Sequence, residues 1–327
     1  MTAGARALDA YRDRSVLVTG ATGFVGRAVA RRLAGVAGRL TLATRVPVDP
    51  EEIVGQGSGR TRVVTWDATD PRSIDGLVAA SAPAIVFNLA GYGVSPDERD
   101  PVSARAINAE LPGRLAAAVS AVDRDGWDGA RIVHAGSALE YGEATGELDE
   151  STVPLPTTLY GETKLAGTAG VAEALTEAGE TGLTARLFTV YGPGERTGRL
   201  LPSLIRCAAT GAPLELSEGL QRRDFTYVGD VAEGLVRLGL TRPPADPVRI
   251  VNLATGRLMT VRAFATTAVR VLGIDPGLLV WGALPTRPEE MRHDPVAVGL
   301  LERLTGWLPR TPVADGIAAT AGEARRP

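Results

Sequence analysis

The chain has 327 residues, of which 44% are apolar and 22% charged, and its formal net charge is −3. This length suits one large domain or two interlocked ones, and a slightly acidic chain argues against nucleic-acid binding. A single cysteine, Cys207, excludes an internal disulfide framework, and two histidines argue against a Cys/His zinc site. Residues 1–14 are polar and no apolar stretch of membrane length follows, so we expect a cytoplasmic protein without signal peptide or membrane contact.

Short apolar runs alternate with helical patterns through the first 190 residues. The alternation is typical of right-handed βαβ units, so we predict an α/β fold with a Rossmann-type, doubly wound parallel sheet. We place a domain boundary near residue 190, with a smaller lobe at 191–327 that partly returns to the first domain. The predicted strands are 15–19, 39–44, 62–66, 84–89 and 130–135, and the predicted helices are 27–34, 102–122 and 159–178.

A glycine-rich turn joins the first predicted strand to the first predicted helix. Gly20, Gly23 and Gly26 are spaced as in a phosphate-binding turn, where the first glycine permits a tight bend and the second lets the backbone approach pyrophosphate. The third lets the helix pack on the sheet, and the helix N-terminus offers free N–H groups to the anion. Chance spacing among 39 glycines is the alternative, but the strand–turn–helix context favours dinucleotide binding.

The ends of the second and third strands bear on which dinucleotide binds. An NAD site usually has an acidic residue after the second strand, where this chain has Arg45 and no acid before Asp49. An arginine suits the 2′-phosphate of NADP(H), so NADP(H) is the preferred prediction and NAD(H) the alternative. A plain surface arginine is the other interpretation. Asp67, at the end of the third strand, could accept from the adenine amino group or could be a solvated loop residue.

Tyr160 and Lys164 lie four residues apart on a predicted helix, so the phenol and the ammonium share one face. A free phenol titrates near pH 10, and a neighbouring cation stabilises the phenolate and lowers its pKa. Such a pair is suited to general acid–base chemistry on a hydroxyl or ketone. The alternative is a surface pair without function, which is disfavoured because Lys164 is the only lysine among the 35 Lys and Arg residues.

Ser137 follows the fifth predicted strand, at the sheet edge where parallel sheets bind ligands. Its hydroxyl could bond a substrate oxygen beside Tyr160. Tyr141 is a competing phenol, but it has Thr145 rather than a lysine four residues later. His134 lies inside the strand and is interpreted as a core residue rather than a base.

Together these motifs resemble the extended short-chain dehydrogenases/reductases that act on sugar nucleotides, namely epimerases, 4,6-dehydratases and 4-ketoreductases. The resemblance covers essentially the whole chain, with its segments in the family order. The segments that match are 19–26, 88–91, 137–142, 160–164, 186–193, 223–230, 252–256, 287–290 and 306–309.

The resemblance implies site roles. Tyr160 would be the acid–base residue, Lys164 would bind the nicotinamide ribose and lower the pKa of Tyr160, and Ser137 would polarise the reacting oxygen. Residues 1–190 would form the dinucleotide-binding domain, with the cofactor contacted by Gly20, Thr22, Gly23, Phe24, Val25, Gly26, Arg45, Asp67, Ala68, Leu89, Ala90, Gly91, Asn108, Tyr160, Lys164 and Phe188. The smaller C-terminal lobe would mainly bind a nucleoside-diphosphate sugar, whose contacts would be Ser137, Thr189, Arg223 and Arg287.

Further implications concern the diphosphate and the assembly. The guanidinium groups of Arg223 and Arg287 would clamp the substrate diphosphate, since bidentate guanidinium–phosphate pairs are strong. Surface arginines are the alternative interpretation for either residue. Family enzymes often dimerise through helices that here are 102–122 and 159–178, so we expect a homodimer.

Departures from the family pattern narrow the reaction. Ser137-Ala138-Leu139 stands where 4,6-dehydratases have Thr-Asp-Glu, whose two acids carry the elimination, so dehydration is disfavoured. Thr189 stands where many members have an asparagine that touches the substrate phosphate. Residues 287–290 read Arg-Pro-Glu-Glu instead of Arg-Pro-Gly-Asp, which keeps the arginine but alters its loop.

The sequence therefore predicts an NADPH-dependent 4-ketoreductase of a nucleoside-diphosphate 4-keto-deoxysugar, in which hydride reaches the sugar ketone as Tyr160 donates a proton. An NAD-dependent nucleotide-sugar 4-epimerase is the alternative, and Arg45 is the main discriminator between the two. A non-enzymatic dinucleotide-sensing protein on the same fold is a further alternative. It is disfavoured because such proteins typically lose the Tyr-Lys pair or the glycine loop.

Overall fold

The computed structural model of the protein describes residues 8–56, 59–93, 98–242, 250–286 and 291–324. Its strands are β1 (Ser15–Thr19), β2 (Arg39–Thr44), β3 (Thr61–Thr65), β4 (Ile85–Asn88), β5 (Ile132–Ser137), β6 (Leu183–Leu187), β7 (Thr189–Tyr191), β8 (Leu214–Leu216), β9 (Arg222–Tyr227), β10 (Ile250–Leu253), β11 (Leu258–Thr260) and β12 (Leu279–Trp281). Its α-helices are α1 (Phe24–Leu33), α2 (Pro50–Val54), α3 (Pro71–Ser81), α4 (Pro101–Ala104), α5 (Leu111–Ser120), α6 (Leu159–Glu177), α7 (Leu200–Thr210), α8 (Val228–Gly239), α9 (Val261–Leu272), α10 (Gly299–Thr305) and α11 (Val313–Ala324).

A seven-stranded parallel sheet forms the centre of the molecule, in the order β10-β6-β5-β4-β1-β2-β3. The predicted doubly wound parallel sheet is thereby confirmed. Helices cover both faces, which explains why β1 is a continuous apolar run rather than an alternating one. Val16 and Val18 pack into the apolar cluster on one face, while Leu17 packs into the cluster on the other.

The strand ends bring distant segments to one edge of this sheet. Thr19 at the end of β1 pairs with Ala43 of β2 on one side and with Asn88 of β4 on the other. Ser137 at the end of β5 pairs in the same way with Leu187 of β6. Because all these strands are parallel, the loops that follow them open at the same carboxyl edge, where doubly wound sheets bind ligands.

The segment predicted as one helix at 102–122 is divided in the structure. Arg105–Glu110 forms a π-helix between α4 and α5. Pro112 in the first turn of α5 has no backbone N–H, so it cannot donate to the carbonyl of Asn108 four residues earlier. That carbonyl instead lies against Gly167 of α6, where the side chain of any other residue would collide with it.

Most of the remaining chain forms a second, smaller unit of structure. It contains a three-stranded sheet in the order β11-β9-β7 and the parallel pair β8–β12. Its apolar cluster is built around Tyr191, Phe225 and Phe264, with the last two rings stacked at a centroid distance of 4.3 Å. β10 adds to the large sheet beside β6, although it comes from the later part of the chain. The division of the chain at residue 190 stays a prediction.

Across the described residues, the helices are all too short or too polar to cross a membrane.

Candidate active site

The glycine turn between β1 and α1 is shaped by close backbone contacts. Gly20 has a φ of +63°, and a Cβ there would lie 2.5 Å from the carbonyl oxygen of Leu89. A Cβ on Gly26 would collide with the carbonyl of Gly20, so the third glycine lets α1 pack against the turn. A Cβ on Gly23 would meet only that same carbonyl, at 3.1 Å, and would otherwise enter open space. Gly20 and Gly26 are thus required by close backbone contacts, whereas the approach of a pyrophosphate at Gly23 stays a prediction.

The start of α1 offers hydrogen-bond donors to a ligand. Gly23 is the N-cap and supplies no side-chain hydrogen bond, so the first N–H groups of the helix lack the usual cap. Thr22 is exposed, while Phe24 and Val25 are partly buried. The loop after β7 passes close by, since a Cβ on Gly194 would lie 3.8 Å from the ring of Phe24. An uncapped helix start beside an open glycine fits a dinucleotide phosphate.

The loop after β4 forms the other wall of this cradle. Thr19 donates to the side-chain oxygen of Asn88 over 2.7 Å and accepts from the backbone N–H groups of Leu89 and Ala90, at 3.2 and 3.4 Å. Gly91 follows and is exposed. The threonine therefore holds the backbone of residues 89 and 90 beside the glycine turn, and the contact of residues 89–91 with the cofactor stays a prediction.

The predicted adenosine-side residues lie at the ends of β2 and β3. Arg45 is the first residue after β2 and is exposed. β3 ends at Thr65, so Asp67 lies in the loop beyond it rather than at the strand end. One of its carboxylate oxygens accepts from the backbone and hydroxyl of Thr69, at 2.8 and 2.7 Å, and these bonds lower the pKa of Asp67. Ala68 is nearly fully buried.

Asn108 supports the site from behind. It is fully buried in the π-helix, where its amide N–H groups donate to the carbonyl of Tyr92 and the hydroxyl of Thr163, at 2.8 and 3.1 Å. Its side-chain oxygen accepts from the N–H of Tyr92 at 2.9 Å. Both amide N–H groups are bonded to protein atoms, so Asn108 holds the loop after β4 against α6, and its contact with the cofactor stays a prediction.

Ser137, Tyr160 and Lys164 are brought together where β5 meets α6. Ser137 is the last residue of β5 rather than a residue after it, because the strand continues two residues beyond its predicted end. Its side chain acts on the phenol of Tyr160, which lies in the first turn of α6, and lowers the pKa of that phenol. Thr158 caps that helix by accepting from the N–H of Gly161 at 3.0 Å. Lys164 follows one turn later and is 3% exposed.

The protonation of Tyr160 differs from the expectation. Burial raises its pKa to about 12, and the negative charge of Glu140 acts in the same direction. The positive charge of Arg199 and the side chain of Ser137 oppose this. The pKa of Tyr160 is therefore raised overall, and the lowering effect of Lys164 stays a prediction. Burial also lowers the pKa of Lys164 to about 8, against the raising effect of Glu140.

The two competing residues have structural partners. The phenol of Tyr141 lies in the core, with hydrogen bonds to the carbonyl of Asp149 and the side chain of Asn252, both at 2.8 Å. His134 is fully buried, its Nδ1 lies 3.0 Å from the amide nitrogen of Asn88, and burial holds its pKa well below 6.5. The structure places His134 in the core, as interpreted from the sequence.

The predicted substrate-side residues are more dispersed. Phe188 is partly buried between β6 and β7, with its ring 6.4 Å from that of Tyr141 and 6.2 Å from that of His293. Thr189 begins β7 and pairs with Phe225 of β9, and Arg223 lies near the start of β9. Arg287 lies outside the described residues.

Sequence reasoning missed two charged groups beside the site. Glu140 is a completely buried carboxylate whose charge acts on Tyr160 and Lys164. Arg199, at the start of α7, contributes a positive charge to Tyr160 and pairs with Glu195 at 3.6 Å. Glu140 follows three residues after Ser137 in a matching segment, which was the available signal, whereas nothing in the local sequence connects Arg199 with Tyr160.

Known proteins resemble this chain in the part that holds the candidate site. A sequence profile described as the NAD dependent epimerase/dehydratase family matches residues 16–254, which hold the glycine turn, the Ser137–Tyr160–Lys164 group and the whole central sheet. The chain belongs to this family. It is thus an enzyme of the extended short-chain dehydrogenase/reductase class, whose members modify sugar nucleotides with NAD or NADP, and the dinucleotide-sensor alternative loses its basis.

Individual family members align over nearly the full length. The chain is 29% identical over 313 residues to a dTDP-6-deoxy-L-talose 4-dehydrogenase (NAD(P)(+)) of Kitasatospora kifunensis, covering 92% of this chain and 93% of that protein. It is 26% identical over 333 residues to a probable UDP-glucuronate 4-epimerase of Rhizobium meliloti (strain 1021), covering 92% and 94%. The structure of MoeE5 in complex with UDP-glucuronic acid and NAD is similar, with a TM-score of 0.80, 27% identity and coverage of 95% and 99%.

Proposed function

We propose that this family member is an NADPH-dependent 4-ketoreductase of a nucleoside-diphosphate 4-keto-deoxysugar. When bound, the dinucleotide supplies hydride to the sugar ketone. Tyr160 donates its phenolic proton to the alkoxide that forms, and Ser137 donates a hydrogen bond to the same oxygen. Lys164 holds the ribose on the nicotinamide side. Orientation of the two bound partners contributes much of the rate.

The observation that carries the proposal is the protonated phenol beside Ser137. Burial raises the pKa of Tyr160 to about 12, so the phenol keeps its proton at neutral pH. Reduction of a ketone needs a proton donor at the forming alkoxide. Oxidation of a hydroxyl, the first half of an epimerisation, needs the phenolate as base. The protonated Tyr160 is suited to the reductive step, which an epimerase also carries out in its second half.

Arg45 supports NADPH as the cofactor. It is exposed directly after β2, two residues beyond Ala43, which pairs with Thr19 at the end of β1. A guanidinium at this point can form charge-assisted bonds to a ribose 2′-phosphate, whereas a ribose diol calls for a carboxylate. The relative from Kitasatospora kifunensis is named for both NAD and NADP, which is compatible with this assignment.

Dehydration is disfavoured by the residues next to Ser137. Ala138 and Leu139 form the start of a 3-10 turn with Glu140 and carry no group that can move a proton. Glu140 itself is fully buried. Its carboxylate already accepts hydrogen bonds from the backbone N–H of Ser137, the hydroxyl of Thr168 and Nε of Arg186. Neither an acid nor a base for eliminating water is therefore supplied by this segment.

A 4-epimerase with tightly held NAD is the second candidate. It is favoured by the Rhizobium meliloti relative and by MoeE5, whose complex contains NAD rather than NADP. Either candidate would take a nucleoside-diphosphate sugar, with Arg223 near the diphosphate. We further propose a homodimer in which α5 and α6 meet the same helices of a second copy.

The dinucleotide decides between the candidates. The purified protein would be denatured to release and identify any bound dinucleotide, and the emptied protein titrated with NADPH and NADH. Low retention and a preference for NADPH, followed by NADPH oxidation on addition of a nucleoside-diphosphate 4-keto-6-deoxysugar, are expected of the reductase. Stoichiometric NAD that resists removal would instead make the epimerase the leading function.

A further inference from the structure

The carboxylate of Glu140 joins the two elements that hold the proposed catalytic residues. One oxygen accepts from the backbone N–H of Ser137 at 2.7 Å. The other accepts from the hydroxyl of Thr168 at 3.1 Å, one turn after Lys164 on α6, and from Nε of Arg186 at 2.9 Å. Glu140 is completely buried, and a Cβ on Gly136 would lie 2.6 Å from its carboxylate. The carboxylate therefore bridges the end of β5 to the middle of α6.

We propose that Glu140 is a positioning residue for the reaction: it fixes Ser137 and α6 relative to each other and sets its negative charge on the helix face that Thr168 shares with Lys164. The proposal rests on the proposed function of Ser137, Tyr160 and Lys164. It extends that function to a residue that is shielded from any ligand.

A purely structural role as the counter-ion of Arg186 explains less of the geometry. A buried ion pair is often no more stabilising than an apolar pair of the same volume. Here Glu140 has three well-placed donors, whereas Nη1 and Nη2 of Arg186 have no hydrogen-bond partner and the guanidinium lies over the ring of Tyr141, 4.3 Å from its centroid. The hydrogen bonds are thus arranged around the carboxylate and not around the guanidinium.

The negative charge of Glu140 lies on the face of α6 that carries Lys164, because Thr168, which bonds the carboxylate, follows the lysine by four residues. From β5 the only titratable neighbour identified in the described residues is His134, which burial keeps neutral. From its own helix Lys164 faces the phenol of Tyr160, which is also neutral at pH 7. Glu140 supplies the negative charge that opposes the burial of the lysine. Without that charge, the lysine would lose its proton at lower pH.

The chain allows Lys164 to be observed directly, because it is the only lysine. Protein grown with lysine labelled with ¹³C at Cε, on a tag without lysine, gives one lysine resonance whose shift reports protonation. We expect the untreated protein to titrate near pH 8. Glu140→Gln should move the midpoint down by about one pH unit or more, since it removes the nearby negative charge. Arg186→Gln should move it up, since the charge of Glu140 is then less compensated.

A third variant separates charge from position. Glu140→Asp keeps the charge but is too short to reach Ser137 and Thr168 together. We expect a lysine midpoint close to that of the unchanged protein but a kcat lowered about tenfold or more, with little change in the KM for the dinucleotide. In Glu140→Gln, kcat should fall. The alkaline limb of the pH–rate profile should also move to lower pH, together with the titration midpoint of the lysine. Circular dichroism and Tm identify any variant that has not folded.

The test of Glu140 can fail or succeed independently of the test of the reductase activity, because the lysine titration needs neither substrate nor cofactor. A lysine midpoint unmoved by Glu140→Gln, or moved in the same direction by Glu140→Gln and Arg186→Gln, would overturn the proposal. If Glu140→Gln does not fold, the upward shift in Arg186→Gln and the kcat of Glu140→Asp still decide it. Midpoints that move as expected in a protein that reduces no 4-keto sugar would support the role of Glu140 and reject the reductase.

Discussion

The phenol of Tyr141 donates a buried hydrogen bond of 2.8 Å to the side-chain oxygen of Asn252, which lies 111 residues later in β10. The carbonyl oxygen of Asp149 lies equally close, so the single phenolic proton is shared between two acceptors. Tyr141 thus ties the segment after β5 to the returning strand, and its hydroxyl is committed to that contact. The hydroxyl of Tyr160 lies instead beside Ser137. The two candidate phenols therefore have different tasks.

This difference predicts opposite effects for two matched Tyr→Phe substitutions. Tyr160→Phe should lower kcat by about 10²- to 10⁴-fold with little change in Tm, because it removes the proton donor. Tyr141→Phe should keep most of kcat but lower the free energy of unfolding by about 1–3 kcal/mol, because it leaves buried acceptors without a donor. Steady-state kinetics and urea unfolding of both variants provide the measurement. Comparable kcat losses in the two would show that Tyr160 has no special part.

Arg45 should control the choice between the two dinucleotides. Arg45→Gln is expected to weaken NADPH binding by about 10- to 100-fold, the loss expected for charged hydrogen bonds to a phosphate, while NADH binding stays nearly constant. The residue is exposed, so the substitution should leave Tm unchanged. Fluorescence titration of the emptied protein with each dinucleotide measures both constants. Equal losses for NADPH and NADH would remove Arg45 from the 2′-phosphate site.

The local pattern was sufficient for features whose cause lies within a few residues. Two such features are the strand–turn–helix from Ser15 to Leu33 and the spacing of Tyr160 and Lys164. Each depends on backbone geometry within one or two turns. The π-helix was not predictable in this way, because the carbonyl of Asn108 needs Gly167 of another helix beside it.

The charges around the site show the same limit. The pKa of Tyr160 depends on burial and on Glu140 and Arg199, which are contributed by different parts of the chain. An i, i+4 spacing reports that Lys164 shares a helix face with the phenol, but not how much water surrounds either group. The constellation was predictable from the sequence, whereas its protonation was not.

Glu195 predicts a pH dependence of stability. Its side chain is 7% exposed, Oε2 has no hydrogen-bond partner, and burial raises its pKa to about 7 despite the charge of Arg199. Because the folded-state pKa exceeds the unfolded value of about 4.5, the folded state favours the protonated form. This contribution to stability is complete below about pH 4.5 and is lost as pH rises to about 7, amounting to at most about 3 kcal/mol.

Glu195→Gln tests this, because glutamine resembles the protonated side chain. The variant should match the unchanged protein in urea unfolding at pH 4.5 and exceed it in stability at pH 8. Both proteins should be compared without dinucleotide, so that ligand binding does not shift the equilibrium. Parallel stability curves for the two across this range would show that Glu195 is already ionised in the folded protein at low pH.

Gly23 and Gly26 predict contrasting consequences for the same added methyl group. In Gly26→Ala the methyl would collide with the backbone carbonyl of Gly20, so α1 must shift and the free energy of unfolding should fall by about 1–3 kcal/mol.

Gly23 has a φ of −74°, and a Cβ there would meet only the carbonyl of Gly20, at 3.1 Å. Gly23→Ala should therefore fold with nearly unchanged Tm. Its methyl would stand at the uncapped start of α1, where a pyrophosphate must approach, so dinucleotide affinity should fall about tenfold or more. Tm without ligand and titration with NADPH separate the two effects. Unchanged NADPH affinity in Gly23→Ala would show that the pyrophosphate does not rest on this turn.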